Sequence, residues 1–203
     1  MALVNAYATL AQLKSSTGIT DSFDDDTLTL ALNAASREID QACERVFYPT
    51  TTTRLYIPRD SATVEIDDLE TLTTLKTSSK ADGVFDTTWS AGDLQLEPLN
   101  KLAGGIETPF TLIRAVGDYA FPITGRLGLP QQEATVQVTG VFGFNATPVA
   151  ITQATIILAS RIFKRNDSPL GFAGIGDMGV MRVSRFDPDI DALIAPYKRV
   201  RFA

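Results

Sequence analysis

The texture of this chain changes twice, at Thr50 and again near Thr147. Outside those points apolar side chains recur at three- and four-residue spacing, the period of a helix with one buried face. Between them, residues 50–145 are rich in Thr, Val, Ile and Leu, punctuated by Gly, Asp and Pro. Few folds accommodate that order. The two helical portions are each too small to stand alone, so they are expected to pack together as one bundle. The predicted fold class is therefore α+β: a small helical bundle with a β-rich insertion, a small sheet or barrel, between the second and third main helices. The expected divisions are 1–49 (helical, first part), 50–145 (β-rich insertion), 146–177 (helical, second part, with a Gly-rich loop) and 178–203 (strand, short helix and basic tail).

Local signals set the elements. Residues 9–17 read as a short helix, with Thr9 as N-cap and Gly18 as the stop. Asp24, Asp25 and Asp26 stand where a helix N-terminus favours negative charge and capping oxygens. Leu28, Ala31, Leu32, Ala35, Ile39, Ala42, Cys43, Val46 and Phe47 then form one apolar stripe, ended by Tyr48-Pro49. In the β-rich block, strands are predicted at 52–57, 62–66, 72–77, 85–89, 94–97, 110–115 and 134–142. Asp82-Gly83 forms a hairpin turn, and 100–109 is a loop. Val136, Val138 and Val141 are expected to point inward. Thr147 and Pro148 open the next helix as N-cap and N1. Its stripe is Ile151, Ala154, Ile157, Leu158 and Ile162, with Arg161, Lys164 and Arg165 in its last turns. Asp187-Pro188 opens a final short helix before Pro196.

Composition narrows the function. The 203 residues are 44% hydrophobic and 21% charged, which fits an ordinary globular chain and excludes a disordered tail or coiled coil. With no histidine and one cysteine, His-based triads, His metal sites and internal disulfides are excluded. No signal peptide opens the sequence and no apolar run is long enough to span a bilayer. Composition alone predicts a soluble, cytosol-made protein that is not an enzyme. The net charge of −6 is unevenly spread: from Arg161 onward eight basic residues face five acidic ones, while residues 1–160 carry ten basic and nineteen acidic. An acidic body repels phosphate and suits a surface past which DNA slides without sticking. A basic end suits docking on an acidic partner, or is simply a solvated tail.

Individual motifs favour plain structural roles. Gly171 to Gly176 contains Gly-x-x-Gly-x-Gly, but it follows a helix and precedes a strand, the reverse of a dinucleotide loop. It reads as a flexible loop of the kind that grips an assembly partner. Asp24–Asp26 and Asp187, Asp189, Asp191 lack the glycine and distal glutamate of a calcium loop, and helix capping explains both runs. Cys43 lies on an apolar stripe without a histidine partner. Trp89, Tyr56 and Phe85 read as core aromatics in preference to a sugar-stacking platform.

Three stretches carry a resemblance. The first is Thr9-Leu10-Ala11-Gln12-Leu13-Lys14, Gly18-Ile19-Thr20-Asp21, Asp25-Asp26, Ala34-Ala35-Ser36-Arg37-Glu38-Ile39-Asp40 and Phe47-Tyr48-Pro49. The second is Val138-Thr139-Gly140-Val141-Phe142-Gly143, leading through Pro148 to Ser160-Arg161-Ile162-Phe163-Lys164-Arg165. The third is Asp167-Ser168-Pro169-Leu170-Gly171, Val183-Ser184-Arg185, Asp187-Pro188-Asp189 and Ala195-Pro196-Tyr197. In order and spacing these resemble the head–tail connector (adaptor) proteins of tailed bacteriophages, the HK97-like connector family. They span about half the chain, at both ends. Residues 50–145 depart from the compact members, and nothing about them is carried over.

The resemblance implies a structural, non-enzymatic virion protein, made in the host cytoplasm and placed in the neck. Such proteins form a ring of about twelve copies under the portal, closed by heterologous contacts. The ring extends the DNA channel, helps retain packaged DNA and docks a stopper or tail-completion protein. Double-stranded DNA passes without sequence-specific binding, and no cofactor, metal or membrane is implied. On that reading, Leu28, Arg37, Ile39 and Arg161 are candidates for ring packing. Arg182, Arg185, Tyr197, Lys198, Arg199 and Arg201 are candidates for portal attachment, on a segment expected to be poorly self-supported. Other readings stay open: a stopper or tail-terminator ring, a capsid-exterior binding module built on the β block, or a cysteine hydrolase.

Overall fold

The computed structural model describes residues 2–103, 106–123, 133–166, 172–173, 181–182 and 188–199. Within them the chain forms two compact units, one of residues 1–47 with 147–203 and one of residues 48–146. The class is α+β, as the alternation of helical and strand textures implies.

The helical unit begins with an arm, residues 2–8, strapped along its second helix. Val4 N–H donates to Asn33 Oδ1 (3.0 Å), Asn33 Nδ2 to the Ala2 carbonyl (3.2 Å) and Tyr7 N–H to Ser36 Oγ (3.1 Å). Helix α1 (Leu10–Thr17) starts from a full capping box, Thr9 with Gln12, and stops at Gly18 in the left-handed conformation (φ 74°). Helix α2 (Asp25–Cys43) buries Leu28, Ala31, Leu32, Ala35, Ile39 and Cys43. Asp25 and Asp26 occupy its first turn, but Asp24 makes no side-chain cap.

Helix α2 ends four residues before the predicted stop at Phe47. Glu44 turns left-handed (φ 52°), and Arg45 N–H reaches back to the Asp40 carbonyl at 3.3 Å. The turn leaves Ala42 exposed and places Phe47 in the core. There the Phe47 ring stands edge-on to Tyr7 (5.6 Å, 85°) and to Tyr197 (5.7 Å, 84°).

Helix α3 (Val149–Asn166) returns the chain to this unit. It starts one residue later than predicted, because the Pro148 carbonyl already accepts from Thr152 N–H (3.0 Å). The Thr147 hydroxyl donates to the Phe47 carbonyl (3.1 Å), closing the excursion where it opened. The buried face of α3 is Ile151, Ala154, Thr155 and Ala159, while Ile157, Leu158 and Ile162 are half-buried. Helix α4 (Pro188–Ile194) and a 3-10 turn (Ala195–Tyr197) complete the unit, burying Ile190, Ile194 and Tyr197.

In the other unit, β1 (Thr50–Tyr56), β2 (Thr63–Thr77), β3 (Thr87–Thr88), β4 (Leu94–Glu97), β7 (Phe110–Ala115) and β8 (Val136–Phe142) form an antiparallel sheet. The order is β1-β8-β2-β7-β4, with β3 beside β2. A small hairpin, β5 (Leu102–Ala103) and β6 (Ile106–Glu107), replaces the predicted loop. Two predicted strands, 62–66 and 72–77, are one continuous β2, which pairs with β7 through its first half and β8 through its second. Asp67 sits mid-strand because its carboxylate has partners. Asp67 Oδ2 accepts from Arg54 (2.7 Å) and Tyr56 (3.2 Å), and Gly143 N–H donates to the Asp68 carbonyl (2.8 Å).

Alternation in β8 places Val136, Val138, Gly140 and Phe142 inward, so Val141 faces away, against expectation. A glycine is needed at 140. A Cβ there would lie 2.3 Å from the Thr71 carbonyl oxygen and 2.9 Å from Leu69 Cδ1. The β core gathers Val64, Ile66, Leu69, Leu75, Ile113, Val138 and Phe142 with Trp89 and Phe121.

Candidate functional site

In the helical unit, the C-terminal half of α2, the last turns of α3 and helix α4 enclose an open groove of about 420 Å³. Ile39, Ala42, Leu158, Ile162 and Ile190 give it apolar walls, and Glu38, Arg161, Arg165 and Asp191 supply its charge. Asp191 is paired with Lys198 (3.2 Å). Its described lining brings together no nucleophile and base.

The sequence-based candidates for ring packing separate here. Leu28 and Ile39 are both 0% exposed: Leu28 lies in the subunit's own core, and Ile39 lines the base of the groove. Leu28 is consumed by packing within the helical unit, whereas Ile39 reaches the groove. Arg37 is engaged within the chain. Its Nε pairs with Asp40 Oδ2 (3.0 Å), it donates to the Asn5 carbonyl (3.0 Å), and it lies over the Tyr7 ring. Arg161 remains at the groove.

The portal candidates separate too. Tyr197 is 6% exposed and packs on Phe47, so it is a core residue of the helical unit. Residues 188–199 are held to the helical unit, Arg199 N–H donating to the Cys43 carbonyl (3.0 Å), while most of the rest of 178–203 lies outside the described residues. Lys198 is partly exposed and Arg182 falls in a two-residue strand, β10 (Met181–Arg182), paired with β9 (Phe172–Ala173). Arg185, Arg201 and most of the Gly-rich loop lie outside the described residues.

Titratable groups serve structure. Burial and the neighbouring Asp40 raise the Tyr7 phenol, whose hydroxyl donates to Asp40 and accepts from Phe47 N–H (2.9 Å). Burial also raises the Asp40 carboxyl, against the lowering effects of Tyr7 and Arg37. Burial pushes the Cys43 thiol up to about 11, the opposite of an activated nucleophile. Trp89 is buried, stacked on Phe121 (4.7 Å, 9°), with its indole N–H on Thr77 Oγ1 (3.0 Å), and so offers no sugar platform. Among the described residues, no cluster of three or more His, Cys, Asp or Glu could hold a metal, and no helix is long and apolar enough to cross a membrane.

Residues 7–75 match the family model described as phage gp6-like head-tail connector protein. The resemblance read from the sequence is borne out over that span, which runs through α1, α2 and β1 into β2. It crosses Thr50, so the beginning of the β block lies within the connector match and is not wholly a departure from it. Solved structures share the fold across 100% of this chain. They are a chain of "Neck of empty GTA particle computed with C6 symmetry" (TM-score 0.61, 19% identity, 95% of that chain) and one of "Neck of native GTA particle computed with C12 symmetry" (0.61, 20%, 94%). A chain of "Virion of native gene transfer agent (GTA) particle" is similar as well (0.55, 21%, 95%). No curated protein matches the sequence.

One feature escaped sequence reasoning. Phe23, outside the apolar stripes, is 92% exposed immediately before α2. The signal was an isolated aromatic in the run Thr20-Asp21-Ser22-Phe23-Asp24-Asp25-Asp26.

Proposed function

We propose that this chain is a structural head–tail connector in the neck of a phage-like particle. The observation carrying the proposal is the connector family match over residues 7–75. A fold similar over 100% of the chain to a neck protein supports it. In this reading, copies form a ring beneath a portal, about twelve in number, in keeping with the C12 symmetry of one similar neck. The ring extends the channel for double-stranded DNA, helps retain packaged DNA and seats the next neck or tail protein. A net charge of −6 suits passage of DNA without sequence-specific grip. No reaction is performed: the one cysteine is buried and its thiol raised.

Arg182, Arg185, Lys198, Arg199 and Arg201 are the proposed portal contacts, pairing with acidic groups on that partner. Because Tyr197 belongs to the core, the informative truncation begins after Arg199. Removing residues 200–203 is expected to weaken docking on purified portal, scored by negative-stain imaging, and to leave the melting temperature unchanged. Undiminished docking by the truncated chain would refute the assignment of Arg201, and undiminished docking by a chain also carrying Arg182→Ala, Arg185→Ala, Lys198→Ala and Arg199→Ala would refute the rest.

A further inference from the structure

Phe23 has the highest exposure of any large hydrophobic side chain among the described residues, at 92%. Its backbone is nevertheless held. Phe23 N–H donates to Asp21 Oδ1 (3.0 Å), and Lys14 Nζ bonds both the Asp21 carbonyl and Asp25 Oδ1, the latter at 2.6 Å. The ring is therefore presented by a fixed turn and would lose little further freedom on being buried. Asp21 and Asp24 flank it in the sequence, with Asp21 Oδ1 accepting from its N–H.

The groove described above has the complementary character. Its walls are apolar, and the end formed by α3 carries Arg161 and Arg165, with Lys164 beside them in the last turn. Glu38 also lines it, while Asp191 is already held by Lys198. Its volume of about 420 Å³ admits an aromatic side chain.

Knob and groove cannot meet within one molecule. Asp25 and Ala42 lie at opposite ends of α2, roughly 25 Å apart along a helix rising 1.5 Å per residue. Each copy thus offers one knob and one groove on different surfaces, the condition for a heterologous contact that repeats around a ring.

We propose that Phe23 of one copy seats in the groove between α2, α3 and α4 of the next, with the flanking Asp21 and Asp24 against the basic end of α3. The occupant is a second copy of this chain, and the inference rests on the ring reading above. The test is assembly of the full chain with purified portal, followed by light scattering and negative-stain imaging. Phe23→Ser and Ala42→Arg, both at exposed positions, are each expected to raise the concentration for half-assembly by roughly 30-fold or more. Their circular dichroism and melting should match the parent. A chain carrying Phe23→Cys with Glu38→Cys should give a disulfide-linked ladder under oxidation, with buried Cys43 not competing. If the parent forms rings and Phe23→Ser forms them equally well, the contact is overturned and the ring reading survives. If Ala42→Arg alone blocks assembly, the groove belongs to another occupant and the contact is again overturned. Should the parent form no ring even on the portal, both readings fall.

Discussion

The helical unit and the β unit are closed in opposite ways. The β unit is one uninterrupted stretch whose first and last strands pair directly, Thr50 opposite Phe142. The helical unit is assembled from both ends of the chain and depends on contacts such as Phe47 with Tyr197. One unit is held by a backbone ladder within a single stretch of chain, the other by side-chain packing between segments from both ends. The difference teaches where each is fragile: the helical unit at its aromatic junction, the β unit at its closest backbone approach.

The largest expected effect targets the junction. Phe47→Ala removes a buried ring from between Tyr7 and Tyr197 and should cost about 3–5 kcal/mol. The single tryptophan, Trp89, lies in the β unit, so its fluorescence reports that unit alone. Helical circular dichroism should melt early in this variant while the Trp89 signal keeps its parental midpoint. A joint shift of both signals would break the comparison.

The reciprocal variant is Gly140→Ala. Its new Cβ collides with the Thr71 carbonyl oxygen in β2, and overpacking of this kind costs about 1–3 kcal/mol, here at the upper end. Trp89 fluorescence should report the earlier melt, and the helical signal should lag behind.

A smaller effect comes from acid. In the β unit, Asp60 is held below its usual range by the backbone N–H of Ala62, with Thr63 adding to this, and Glu97 is held low by Arg114. Their stabilisation is present above the ordinary carboxylate values of 3.8 and 4.5 and is lost as pH falls through the depressed ones. Asp40 in the helical unit has the opposite sign. Burial raises it, so its neutral form favours the fold, and that contribution fades as pH rises through its raised value. Lowering the pH from neutral should therefore favour the helical unit first and weaken the β unit only below the ordinary carboxylate range. Two-probe melts across that range check the order, and a helical unit that weakens first on acidification contradicts it.

Local chemistry in the sequence was a reliable guide, and long-range satisfaction was not. Thr9 with Gln12 and Gly18 announced α1 because a cap is a contact between close neighbours. The strands predicted at 62–66 and 72–77 leave out Asp67-Asp68, because the residues that make Asp67 tolerable, Arg54 and Tyr56, come from another strand. The end of α2 was hidden because Glu44 adopts a conformation usually given to glycine. The same logic divides the candidate site. Leu28 and Ile39 were visible as an apolar stripe, yet periodicity does not say whether a stripe faces its own bundle or a neighbour. Phe23 was overlooked since a lone aromatic has no period at all.

The Thr147–Phe47 hydrogen bond joins residues 100 positions apart. A ribosome adding about 5–20 residues per second needs roughly 5–20 s to cover that gap. During the delay α1 and α2 are already outside the exit tunnel with Leu28, Leu32 and Ile39 awaiting α3. The β unit can finish folding in the meantime, since its strands all emerge before α3. Nascent chains stalled before residue 147 should thus be the form most in need of a chaperone.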